Sequence, residues 1–229
     1  MSTDAYRVPD GFLAIGRTFA EYRRLFDLRA ADLADRAVLD CGGGASAFTA
    51  TAGELADTAM AVDPLFASPQ EVLEPRLREA IAATRAQLEE KREQFVWDWY
   101  GDVETRIRYL RAAAERFLAD RATQPGRYVA GRLPDLPLRT DSVDLALSAN
   151  LCFLYDDRLD LSFHVAALRE LARVAREVRV FPLASLDTTR SELVEPVVER
   201  LWADGLDASL REVPYEFQPG ATTMLVVRN

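Results

Sequence analysis

The chain has 229 residues, 49% of them apolar, and a formal net charge of −9. That is enough for one α/β domain with a decoration, or for two small domains. No run of about 18 apolar residues offers a membrane span, and two cysteines with one histidine, His164, argue against a disulfide scaffold or a His-based metal site.

The acidic balance, with Lys91 the only lysine, disfavours nucleic acid and anionic membrane as partners. Residues 1 to 7 lack the basic and then apolar segments of a secretory leader, so a cytoplasmic location is expected. Nothing in the sequence indicates an oligomeric state.

In chain order, residues 1–35 come first as an amphipathic leading segment. Phe12, Ile15, Phe19, Tyr22, Leu25 and Phe26 fall near helical spacing and predict a helix over about 15–27. Ala37-Val38-Leu39-Asp40 then reads as a buried parallel strand running into glycines. Phe48, Ala52 and Leu55 mark a helix, and Ala59 to Asp63 a second strand stopped by Pro64, which completes a βαβ unit. Residues 68–124 break the alternation. Leu73, Leu77, Ile81 and Leu88, then Ile107, Leu110, Ala114, Phe117 and Leu118, predict helices, so this stretch reads as an inserted helical lid. Strands follow at 128–131, 143–148 and 177–181, with helices near 159–175 and 196–204. Residues 210–217 and 223–227 predict a closing hairpin. The whole is one α/β domain, doubly wound around a mostly parallel sheet.

The first crossover carries the chemistry. Asp40-Cys41-Gly42-Gly43-Gly44 places a carboxylate beside a glycine turn that faces the strand-end crevice. Gly42 to Ala47 also fits the relaxed dinucleotide pattern, a weak match alone. A pyrophosphate would meet Asp40 as a like charge, disfavoured at about 6 Å by a sizeable fraction of a kcal/mol; a cationic, phosphate-free nucleoside would welcome it. Asp63, about twenty residues on, suits ribose hydroxyls in either ligand.

Asp40 to Gly44 resembles the D/E-x-G-x-G signature of class I S-adenosylmethionine-dependent methyltransferases, and Ala61-Val62-Asp63 is similar to their second motif. Asp141 to Ala146, Leu168 to Val174 and the terminal hairpin extend the likeness over about residues 36–66 and 127–229. The resemblance implies a seven-stranded Rossmann-like sheet with an antiparallel C-terminal pair. It also implies S-adenosylmethionine as cofactor, no metal, and a cofactor site drawn from Asp40, Cys41, Gly42, Gly43, Gly44, Asp63, Pro64, Ser148 and Asn150. Two features depart from the family: Gly131-Arg132-Leu133 replaces an adenine-side acid, and Ala175-Arg176-Glu177 a glycine pair. Asn150-Leu151-Cys152-Phe153 also differs from the Asn-Pro-Pro-Tyr of amino-group methylases.

Each candidate has a plainer role. Asp40 can brace the loop, Asp63 can cap a turn, and Asn150 can cap backbone. Cys41 and Cys152 suit buried apolar sites, and His164 a core helix face. Trp97, Trp99 and Tyr100 suit packing more than a substrate cage. Arg17 and Tyr22 are candidates for the methionine carboxylate, and Tyr155, Asp156 and Asp157 for a base. The function expected is methyl transfer to a small-molecule acceptor. A NAD-dependent oxidoreductase and a non-catalytic S-adenosylmethionine binder are the alternatives.

Overall fold

A computed structural model describes residues 11–229; the first ten residues of the expected leading segment lie outside them. Seven strands, β1 (Ala37–Cys41), β2 (Thr58–Val62), β3 (Tyr128–Val129), β4 (Val143–Ala149), β5 (Ala175–Phe181), β6 (Asp207–Glu212) and β7 (Thr223–Arg228), form one sheet in the order β3-β2-β1-β4-β5-β7-β6. The first five are parallel, and β7 runs antiparallel between β5 and β6. This is the doubly wound, mostly parallel sheet with an antiparallel C-terminal pair, in which β7 alone is reversed.

Side chains alternate across the sheet, so neighbouring residues serve opposite layers. Leu39, Ala146 and Val178 pack beneath α5 (Leu161–Val174) and α6 (Val194–Ala203). Val38, Leu145 and Leu147 face the other way, with Tyr22 and Phe26 from the leading segment and Phe48 from α2 (Phe48–Ala52). His164 is fully buried on α5 against Phe153, its Nδ1 2.7 Å from the Asp160 carbonyl. Cys41 and Cys152 are buried free thiols.

The leading helix, α1 (Phe19–Leu25), is shorter than its periodicity predicts. Thr18 and Glu21 form a reciprocal capping box that fixes the start. The residues before it serve another purpose: Ile15 bridges Ala45, and Gly16 lies so close to the Ala45–Ser46 backbone that a Cβ would overlap it.

Between β2 and β3 stand α3 (Gln70–Glu90) and α4 (Val103–Thr123). Leu73, Leu77 and Ile81 meet Ile107, Leu110 and Phe117, and the pair closes on Phe66 and Tyr128 at the sheet edge. β3 is shorter than predicted because its pairing with β2 ends at Val129. β6 begins earlier, at Asp207, and the alternating stretch after it leaves the sheet instead of prolonging the hairpin. There Phe217 accepts a hydrogen bond from the Val96 amide (2.8 Å), tying this turn to the segment between α3 and α4.

Candidate functional site

The strand order reverses between β1 and β4, and a cleft of about 800 Å³, counted out to its open mouth, lies at their carboxyl ends. Ligand sites in open α/β sheets form at this switch point. Gly42, Gly43 and Asn150 contribute the sheet side of the cleft; Ile15 and Arg17 come from the leading segment, Leu88 from α3 and Arg106 from α4.

The turn itself is densely hydrogen-bonded. The Gly42 amide donates to Val62 O (2.9 Å), Ala45 to Ala14 O (3.2 Å) and Ala47 to Arg17 O (2.9 Å). Gly44 donates to Asp63 Oδ2 (3.0 Å). Amides that a pyrophosphate would recruit at a helix start therefore already have acceptors from the leading segment and from β2.

Asp40 lies behind this turn, 1% exposed, and accepts a 2.7 Å hydrogen bond from Tyr22. Burial pushes its carboxyl up to about 7, against the opposing hydrogen bonds from Tyr22 and Ser46. A Cβ on Gly43 would overlap the Asp40 carboxylate, so glycine here lets the turn fold over the acid. Asp63 also accepts the Leu65 amide (2.8 Å), starting the short turn that opens at Pro64. Burial raises its carboxyl as well, opposed by those two backbone hydrogen bonds.

Of the nine residues the resemblance implies, Gly42, Gly43 and Asn150 line the cleft. Asp40, Cys41 and Ser148 are buried behind it, Gly44 is bound to Asp63, and Pro64 is exposed. Asn150 follows β4 in a left-handed conformation (φ 55°), its amide bonded to Phe181 O. Its Oδ1 accepts from Arg17 (3.2 Å), while Asn150 Nδ2 and Arg17 Nε are buried without a hydrogen-bond partner.

Among the base candidates, Tyr155 lines the cleft, its hydroxyl accepting the Leu13 amide at 2.9 Å. Asp157 is exposed and paired with Arg158. Trp97 and Trp99 pack outside the cleft: Trp97 stands edge-on to Phe217, and Trp99 lies under the Arg24 guanidinium at 4.0 Å. Tyr100 is buried and donates to Glu21 (2.5 Å).

The sequence reading missed Glu21, Arg106 and Phe217. Glu21 is fully buried and joins Arg106 (3.2 Å), Tyr100 and the start of α1. Arg106 had a legible signal, because it sits on the inward stripe with Val103, Ile107 and Leu110.

No family model matches the chain. It is 25% identical to the uncharacterized protein MJ0045 of Methanocaldococcus jannaschii over 215 residues, 93% of this chain and 95% of that one. Two solved structures are similar at low identity. One is an S-adenosylmethionine-dependent methyltransferase from Aquifex aeolicus (TM-score 0.42, 15% identity, 90% of this chain and 92% of that one). The other is a TehB-like S-adenosylmethionine-dependent methyltransferase from Corynebacterium glutamicum (0.45, 14%, 88% and 85%). The strand order, with β7 reversed between β5 and β6, is the feature that separates this sheet from that of classical dehydrogenases, and by it the chain has the Rossmann-like fold of class I S-adenosylmethionine-dependent methyltransferases.

Proposed function

We propose that the protein transfers a methyl group from S-adenosylmethionine to a small-molecule acceptor. The observation that carries this reading is the glycine turn at the switch point. The amides of Gly42, Gly44, Ala45 and Ala47 are taken by protein acceptors and a carboxylate lies behind the turn, which suits a cationic, phosphate-free nucleoside and disfavours a dinucleotide.

The residues fit such a cofactor. Arg17 and Asn150 hold buried donors without hydrogen-bond partners, the complement of an amino-acid carboxylate. Each Asp63 oxygen accepts one backbone amide and keeps capacity for a ribose hydroxyl. Gly42 and Gly43 let the ligand approach the backbone, and Asp40 supplies negative charge beneath them. We assign Cys41, Gly44, Pro64 and Ser148 to the frame that fixes these groups.

The cofactor supplies an activated methyl on a sulfonium. The protein's own tasks are then alignment and exclusion of water. Leu13, Ile15, Leu88, Phe95, Leu154 and Phe217 give the cleft apolar walls. Among the described residues, its lining holds no carboxylate or imidazole; the proton-transferring side chains that line it are Tyr22 and Tyr155. An acceptor atom that is already deprotonated on binding suits this site best.

Calorimetric titration tests the assignment. S-adenosylhomocysteine and S-adenosylmethionine should bind and NAD should not; NAD binding with neither of the other two sinks the proposal.

A further inference from the structure

The leading segment crosses the switch point before it reaches α1. On one side its backbone is tied to the glycine turn. Ala14 O accepts from the Ala45 amide (3.2 Å), Arg17 O accepts from the Ala47 amide (2.9 Å) and the Ser46 hydroxyl (3.3 Å), and Ile15 bridges Ala45. On the other side it is tied to the chain after β4. The Leu13 amide donates to the Tyr155 hydroxyl (2.9 Å), Arg158 to Gly11 O (2.7 Å) and Arg17 to Asn150 Oδ1 (3.2 Å), and the Phe12 ring stands edge-on to Tyr155. Residues 11–17 thus form a strap across the carboxyl ends of β1 and β4, and Leu13, Ile15 and Arg17 are its share of the cleft wall.

The closed strap hides the groups it offers a ligand. Arg17 Nε and Asn150 Nδ2 are buried and make no hydrogen bond, although Arg17 keeps its ion pair with Glu21 at 3.7 Å. Dry, unbonded donors are costly, so the closed arrangement is penalised in the free protein, and a carboxylate that reaches both donors removes the penalty. Solvent does not reach either atom, so a carboxylate reaches them only when part of the wall moves. The strap is lightly held by comparison with its surroundings. α1 beyond it is fixed by the capping box and by Tyr100 donating to the buried Glu21 (2.5 Å), whereas residues 11–17 add no strand to the sheet and leave Phe12 51% exposed. Gly16 defines the closed position: a Cβ there would lie 2.1 Å from the Ala45 carbonyl carbon, so the strap seats only with glycine.

We propose, resting on the cofactor reading above, that residues 11–17 are a gate for S-adenosylmethionine, open in part of the free population and closed by the ligand's amino-acid carboxylate on Arg17 and Asn150. Tyr155, whose hydroxyl holds the Leu13 amide, is the latch of this gate and acts as a positioning residue.

The test is hydrogen exchange on the full chain, free, with saturating S-adenosylhomocysteine, and with 5′-methylthioadenosine, which keeps the nucleoside and lacks the carboxylate. In the free protein the Leu13, Ala45 and Ala47 amides should exchange well ahead of the Gly42 amide, whose acceptor is Val62 O on β2. S-adenosylhomocysteine should slow those three by about tenfold or more, and methylthioadenosine by less than about twofold. Gly16→Ala, which cannot seat the strap, should raise both the association and the dissociation rate of S-adenosylhomocysteine, measured by surface plasmon resonance. Tyr155→Phe should raise both by about three- to tenfold, the worth of one hydrogen bond. A strap that only contacts the ligand raises dissociation alone, and that result overturns the gate. Strap amides that exchange no faster than Gly42, or equal slowing by both nucleosides, also overturn it. The wild-type exchange stands where a variant fails to fold. S-adenosylhomocysteine that binds without slowing the strap removes the gate and keeps the cofactor reading; absence of binding by calorimetry removes both.

Discussion

The two sides of the cleft are built differently. The glycine side comes from one continuous stretch, β1, its turn and α2, with Asp63 pinned to it by two backbone hydrogen bonds. The far side is assembled from α3, α4, the turn after β6 and the segment after β4, with Arg106 and Glu21 meeting across 85 residues of chain. Local backbone geometry defines the first. Buried charge pairing and aromatic packing define the second, and an error in one partner there leaves a desolvated charge behind.

The largest effect should therefore fall on the far side. Glu21→Ala removes the carboxylate that Arg106 and Arg17 share and the Glu21 half of the capping box at the start of α1. It should cost about 3–5 kcal/mol of stability, read as a lowered urea midpoint with an unchanged denaturant slope. A loss under about 1 kcal/mol would mean that the network is solvated and the contrast between the two sides is wrong.

Next comes Asp63→Ala on the glycine side. Removing the acceptor of two amides and of the proposed ribose contacts should weaken S-adenosylhomocysteine by about 2–3 kcal/mol, or some 30- to 150-fold. Asp63→Asn should fall between this variant and the parent. Calorimetry at matched folded fractions separates binding from stability, and an unchanged affinity in Asp63→Ala removes Asp63 from the site.

A smaller effect concerns pH. Asp40 holds its proton more tightly folded (about 7) than at its ordinary value of 3.8. Its contribution to stability is therefore full below the ordinary value and is lost as pH rises through about 7. Asp40→Asn should flatten the fall in urea midpoint across that window. A bound cation would pull the Asp40 proton off, so S-adenosylmethionine binding near neutral pH should release protons, visible as buffer-dependent binding heats. Identical heats in buffers of different ionisation enthalpy would break this link.

The smallest effect should come from Trp99→Phe. Trp99 packs against Tyr109 and Arg24 outside the cleft, so S-adenosylhomocysteine affinity should stay within about twofold. A larger loss would restore the aromatic cage that the packing argues against.

Much was legible without coordinates. The strand runs, the glycine turn and the two aspartates are local patterns, and burial of a strand or tightness of a turn follows from a handful of consecutive residues. Arg106 was harder, because its inward position is written in helical spacing but its partner Glu21 lies on another element. The alternation over 210–217 predicts Phe217 in a strand, since alternation alone does not distinguish a hairpin arm from a turn that leaves the sheet to reach Val96.

By itself the sequence determined the alternating α/β order, the glycine turn with Asp40 beside it, and the helical character of much of residues 68–124. Only the tertiary structure decided which side chains share the cleft and which of them pair there. Strand runs and turns arise from neighbours in the chain, whereas a cleft wall arises from groups that distant segments bring together once they pack on the sheet.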